Sequence, residues 1–258
     1  MNVVNVVPMR LPSSPPPPPS APHASVLLEP STDALAPRPG GVYVDATLGA
    51  GGHSEALLGA IGTRVIGVDR DGSALALASE RLRRFGDRFT PVRGAFGDLG
   101  ALLADLGVSR VDGILADVGV SSMQIDRPER GMSFRHEGPL DMRMDPDHGE
   151  TALELIERLS DEELANVIFR YGEERRSRRV ARCIKQALAI GELTTTLDLR
   201  RAVVRAVGPS RVGGLDPATR TFQALRIAVD EELSQLTSLL ASAPSLLKSG
   251  GTLAVISF

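Results

Sequence analysis

Tryptophan is absent from this 258-residue chain, and aromatic residues make up only 3% of it. That scarcity argues against a surface that stacks many bases on exposed rings. The core must instead be built from Ala, Leu, Val and Ile. Cysteine occurs once, at Cys183, which excludes an internal disulfide. No Cys/His cluster suggests a bound metal, so no metal is expected, and a reducing cytoplasm is the expected compartment. No apolar run is long enough to span a bilayer, so no membrane attachment is expected. The start, MNVVNVVPMR, has no charge ahead of its apolar residues. A proline tract follows too soon for the apolar region of a signal peptide.

A strong net charge is also missing. The formal balance is −3, which by itself argues weakly against nucleic acid. Its distribution says otherwise. Between Arg170 and Arg226 stand 13 Lys/Arg against 5 Asp/Glu, a local balance of +8 that leaves −11 for the remainder. A basic segment within an acidic chain reads either as a phosphate-binding surface or as a solvated helical face.

The remaining composition, 42% hydrophobic and 24% charged, is that of an ordinary globular protein. The length suits one large α/β domain, alone or with an insertion. Residues 1–22, with consecutive prolines from Pro15 to Pro19, read as an extended, disordered tail. From Gly41 onward short apolar runs alternate with helical stretches. The runs are Val42–Val44, Val65–Val68, Thr90–Val92, Ile114–Leu115 and Thr252–Ser257. Between them Glu55–Leu58, Ser73–Arg84 and Leu99–Leu106 carry helical spacing. This alternation predicts an α/β fold, a doubly wound and mostly parallel sheet. Ligands of such sheets sit beyond the carboxyl ends of the strands, where Asp45, Asp69 and Asp117 fall.

Residues 121–230 read as a helical insertion. Thr151 with Glu154, and Ser160 with Glu163, fit capping boxes. Phe222, Leu225, Val229, Leu233, Leu236 and Leu240 form an apolar stripe at steps of three and four, read as core. The chain stops at Ser257-Phe258, inside or just after a strand. That ending suggests a truncated sheet.

The segment DATLGAGGHS from Asp45 joins the first strand to a helix. Gly49 and Gly51 match a dinucleotide-binding pattern whose sixth position is Ser54 instead of glycine. The loop is therefore either a ligand cradle or a tight strand–helix turn. Asp69, 18 residues after Gly51, can accept both hydrogen bonds of a ribose diol. Asp45 suits a ligand carrying positive charge and would repel a pyrophosphate. S-adenosylmethionine, with its sulfonium and amino acid, suits this rim better than NAD does. His53 could hold the carboxylate end of that cofactor or bond the local backbone. Asp117 opens the segment DVGVSSMQ and could orient a substrate amine or contact cofactor.

These residues resemble the RsmH (MraW) family of rRNA methyltransferases. The likeness is carried by HASVLLE from His23, DATLGAGGHS, GVDRD from Gly67, DVGVSS from Asp117 and RGMSF from Arg130. GPLDMRMDP from Gly138, YGEER from Tyr171 and PATRTFQALRI from Pro217 extend it toward the end. Met123 stands where the family usually has proline, Val118 where it has leucine, and Pro30 follows Glu29 unusually. The resemblance implies a class I S-adenosylmethionine-dependent methyltransferase fold with an inserted helical domain. The domain would comprise 23–120 and 231–258, with C-terminal strands missing.

It further implies N4-methylation of a decoding-centre cytidine in 16S rRNA of the small ribosomal subunit. Cofactor contacts carry over to Gly51, Gly52, His53, Asp69, Phe96, Asp117 and Gln124. The N4 amine is a poor nucleophile, and acceptors such as Asp117 could aim its lone pair. Arg175, Arg176, Arg178, Arg179, Arg182 and Arg220 are the candidates for RNA phosphates. Alternatives are an RNA-binding fragment without catalysis and a methyltransferase for a small molecule. A dehydrogenase fits least.

Overall fold

The structure is a computed structural model that describes residues 2–6, 25–209 and 215–257. The chain divides into two compact units, 1–119 with 233–258, and 120–232. The first contains β1 (Asn2–Val6), α1 (Leu28–Leu35), β2 (Val42–Asp45), α2 (Gly52–Gly59) and β3 (Arg64–Asp69). It continues with α3 (Gly72–Leu82), β4 (Phe89–Arg93), α4 (Leu99–Asp105) and β5 (Val111–Asp117). The second holds α5 (Ser122–Ile125), α6 (Ala152–Arg158), α7 (Asp161–Gly172), α8 (Ser177–Ala189), α9 (Thr196–Val207) and α10 (Thr219–Val229). The chain then returns through α11 (Glu232–Leu246) to β6 (Leu247–Ile256).

The strands form one sheet in the order β1-β6-β5-β2-β3-β4, and every neighbouring pair is parallel. Alternate residues of the strands point to opposite faces. Val44, Ile66, Val68, Ile114, Ala116 and Leu253 pack with Leu103 of α4 and Leu239 and Ala243 of α11. Tyr43, Val65, Leu115 and Ala254 pack on the other face with Leu35, Leu57 and Leu82, from α1, α2 and α3. Both faces are covered, which is why the strands read as nearly continuous apolar runs. The expected doubly wound sheet is present.

Two expectations are corrected at its edge. Asn2–Val6 is not a disordered tail but a strand paired with β6 from Asn2↔Thr252 to Val6↔Ile256. β6, where the sheet was expected to be cut short, is not an edge strand, since it lies between β1 and β5. β-branched valines suit that pairing, which also satisfies the exposed N–H and C=O row of β6. The rest of the expected tail, from 7 to 22, lies outside the described residues.

In the second unit the helices surround their own apolar core, with Leu164, Ile168, Val180, Ile184, Leu199 and Phe222 buried together. The capping boxes at Thr151 and Ser160 both form, and Thr195 with Asp198 makes another. Burial would raise the Asp198 carboxyl, but hydrogen bonds from Thr194 and Thr195 hold it down at about 2. The apolar stripe from Phe222 to Leu240 is broken. α10 ends at Val229, Glu231 turns with φ 52°, and α11 restarts at Glu232. Leu233 and Leu240 are exposed, so the stripe is core only as far as α10.

Candidate active site

The strand order reverses between β2 and β5, from which the chain winds outward in both directions. Open α/β sheets bind ligands at this switch point, outside the carboxyl ends of the strands. Asp45 ends β2, Asp117 ends β5 and Asp69 ends the neighbouring β3.

Asp45 is wholly buried. Its Oδ2 accepts a hydrogen bond from Ser54 Oγ at 2.7 Å. Its Oδ1 has no hydrogen-bond partner among the described residues. Burial pushes this carboxyl upward, against the pull of His53, the Ser54 hydroxyl and the Thr47 and Ser54 backbone. An unpaired buried acceptor costs about 1–3 kcal/mol, more when charged. A ligand donor or cation placed there would recover that cost.

Asp69 is woven into the glycine turn. Its Oδ2 accepts the Gly49 N–H at 2.8 Å, and its Oδ1 accepts the Asp71 N–H at 2.9 Å. A carboxylate has about four lone-pair sites, so each oxygen keeps one for a ligand hydroxyl. Burial raises its pKa from 3.8 to about 6, against those two backbone bonds and with help from the charges of Asp71 and Asp45.

The glycines divide the work. Gly49, at φ 52°, has open space where a Cβ would stand. Gly51, at φ 79°, would carry a Cβ 3.2 Å from Ala78 and Leu82, and one on Gly52 would collide with Ser25. Gly51 donates its N–H to the Leu48 carbonyl at 2.8 Å, within the turn. Packing against α3 and Ser25 therefore demands glycine at 51 and 52, while Gly49 leaves room for a ligand.

His53 lies in the first turn of α2, nearly buried, with Nε2 3.0 Å from the Val26 carbonyl. This bond reaches a carbonyl 27 residues away in the chain, not the local backbone expected at a helix start. Its ring nevertheless lies near enough to act on the carboxylates of both Asp45 and Asp117. Asp117 is raised by burial, lowered by His53 and raised again by Asp45. The Asp117 backbone N–H donates to Thr47 Oγ1 at 2.6 Å, pinning the end of β5 to the turn after β2. Thr47 and Ser54 were not singled out from sequence. A hydroxyl in a loop carries no periodic signal, and only the fold supplies their partners.

Phe96 opens a short 3-10 turn after β4 and stays half-buried. The next residue, Gly97, donates to Gln235 Oε1 at 2.9 Å, tying this loop to α11. Gln124 belongs to the second unit, where its amide oxygen accepts the Ser121 N–H in a capping box at α5.

The arginine candidates also lie in the second unit, and all six are exposed. Arg175 and Arg176 precede α8, which begins at Ser177. Arg176 donates to the Val207 carbonyl and Arg220 to the Glu173 carbonyl. Arg226 forms an ion pair with Glu232 at 2.6 Å. In GPLDMRMDP, Arg143 grips Asp141 through two hydrogen bonds of 2.8 and 2.7 Å. Arg130, buried, donates to the Met144 carbonyl at 2.7 Å. That motif is a locked loop. Among the described residues there is no cluster fit for a metal ion and no helix long and apolar enough to cross a membrane.

A family model described as the MraW methylase family matches residues 20–258. The chain is similar to the ribosomal RNA small subunit methyltransferase H of Sorangium cellulosum, at 69% identity over 100% of this chain and 82% of that protein. It is 51% identical to the protein of the same name from Trichlorobacter lovleyi, over 92% of this chain and 76% of that one. With the one from Rhodospirillum centenum it shares 51% identity over 92% and 71%.

Proposed function

The chain belongs to the MraW methylase family, and on that premise we propose that it methylates N4 of a cytidine in the decoding centre of 16S rRNA, using S-adenosylmethionine. The relatives share a name that specifies methyl transfer to small-subunit ribosomal RNA. The choice of base and atom is our own reading.

The residues at the switch point fit such a donor. The observation that carries this reading is the unpartnered Oδ1 of buried Asp45. It suits the cationic amino-acid end of the donor and would repel the pyrophosphate of a dinucleotide. Asp69 would hold the ribose hydroxyls with its two remaining lone pairs. Gly49 offers unobstructed backbone, the Gly51-Gly52-His53 turn shapes the wall, and Phe96 would cover the adenine. When bound, the donor supplies an electrophilic methyl group on sulfur.

Asp117 acts on the substrate. Its carboxylate would accept an N–H of the cytosine amine and turn the nitrogen lone pair toward the methyl group. This assistance is orientation and electrostatics, because the amide-like nitrogen is weakly nucleophilic. Asp117 would then take the proton that N4 gives up. Arg175, Arg176, Arg178, Arg179, Arg182 and Arg220 would hold RNA phosphates.

The test is incubation with labelled donor and undermethylated small subunits, followed by digestion of the RNA to nucleosides. Label in N4-methylcytidine is expected. Label in another nucleoside would overturn the choice of atom, and no incorporation would overturn the whole reading.

A further inference from the structure

Phe169 stands bare in the last turn of α7, 56% exposed, in a chain with few aromatic residues. Cations follow it along the chain. Arg170 follows it, and Arg175, Arg178, Arg179 and Arg182 come within the next turn and the start of α8, all exposed. The side chains of these five arginines make no hydrogen bond or ion pair among the described residues. The first turn of α8 holds no acidic residue, whereas α7 starts with Asp161, Glu162 and Glu163 and α9 with Asp198. Cations at a helix N-terminus are repelled by the helix dipole, so the five arginines outweigh Glu173 and Glu174 beside them and raise the local potential.

The corner is held rigid. Glu173 donates its N–H to the Phe169 carbonyl at 3.0 Å, closing α7. Arg220, in the first turn of α10, donates to the Glu173 carbonyl at 3.3 Å. Arg176 donates to the Val207 carbonyl of α9 at 3.0 Å, and its own N–H goes to Glu174 Oε1 at 2.7 Å. Two arginines and one glutamate thus fasten the corner, and the other arginines are exposed, as Phe169 is.

We propose that this corner of the second unit binds a single-stranded stretch of RNA, with one unstacked base on the Phe169 ring and the flanking phosphates on Arg170, Arg175, Arg178 and Arg179. The inference rests on the rRNA reading above and adds how the strand is held. Guanidinium forks match phosphate oxygens, and an aromatic face accepts any base. A duplex keeps its bases stacked and offers none to the ring. The neighbouring charge favours a polyanion over an apolar partner.

The test is anisotropy of a labelled single-stranded RNA oligonucleotide titrated with the full chain at several salt concentrations. Phe169→Ala is expected to weaken binding about tenfold without changing the salt dependence. Phe169→Trp should restore it. Arg178→Gln with Arg179→Gln should lower the slope of log affinity against log salt by about 1.4, roughly 0.7 per phosphate contact. Calorimetric uptake of the methyl donor should be the same in every variant, which reports an intact first unit. Circular dichroism melting checks the helical unit.

The proposal is overturned if Phe169→Ala binds the oligonucleotide within about twofold of the parent, below the effect of one lost stack. It is also overturned if duplex RNA loses as much affinity as the single strand. Binding of intact subunits without binding of protein-free RNA would assign the surface to an acidic protein and overturn it as well. Failure of methyl transfer with Phe169-dependent RNA binding intact would contradict the catalytic reading alone.

Discussion

The Gly49 N–H donates to Asp69 Oδ2 at 2.8 Å, so the turn after β2 and the end of β3 are fastened at the point where the donor is expected. One carboxylate thereby shapes the glycine turn and, in the proposed reading, would hold the donor as well. Asp69→Ala should weaken donor binding about 100-fold, because two charge-assisted hydrogen bonds are lost and the turn loses its anchor. Isothermal calorimetry checks this. An effect below about threefold would show that Asp69 does not hold the ligand.

The same group makes donor binding depend on pH. Its pKa in the folded protein is about 6, above the ordinary 3.8. A ribose diol needs the ionised form as acceptor. Affinity should therefore climb as pH rises through 6, level off above about 7, and be about tenfold lower at pH 5 than at pH 8. For the ligand-free fold the sign is opposite. A raised carboxyl contributes stability that is full below 3.8 and is lost as pH rises through about 6. Calorimetry and thermal melts at matched pH separate the two trends.

Asp45→Asn should leave the ligand-free protein as stable as the parent or more so. It removes a buried charge while keeping an acceptor for Ser54. Donor affinity should fall about tenfold, since the cationic end loses its counter-charge. A thermal melt and a binding isotherm on one preparation test both halves. A large loss of stability would assign Asp45 to the fold instead.

Asp117→Asn separates substrate orientation from cofactor contact. If Asp117 acts on the amine, kcat should fall about 100-fold or more while donor affinity stays within about threefold. If it mainly contacts the donor, affinity falls instead. Single-turnover methyl transfer beside calorimetry distinguishes them.

The sheet and its three terminal acids were legible because buried parallel strands read as apolar runs and three of them, β2, β3 and β5, end on an aspartate. The glycine turn was legible as a turn, but the duty of each glycine was not. Gly51 and Gly52 are constrained by Ala78, Leu82 and Ser25, which lie far from them in sequence. The strand at Asn2–Val6 was missed for a related reason. Its valines favour a strand, but the segment stands before a proline tract and its partner β6 lies at the other end of the chain. The break at Glu231 was hidden because the apolar steps run through it unchanged, whereas a positive φ at a non-glycine residue leaves no mark on periodicity. Arg226 shows the limit of charge counting, since half-buried guanidinium paired with Glu232 and exposed guanidinium on α8 look alike in sequence.

A crystal structure with S-adenosylhomocysteine would test the central claim most directly. The account predicts both ribose hydroxyls within hydrogen-bond distance of the Asp69 carboxylate and the amino group of the ligand near Asp45 Oδ1. A ligand bound elsewhere, or one whose ribose leaves Asp69 untouched, would contradict it.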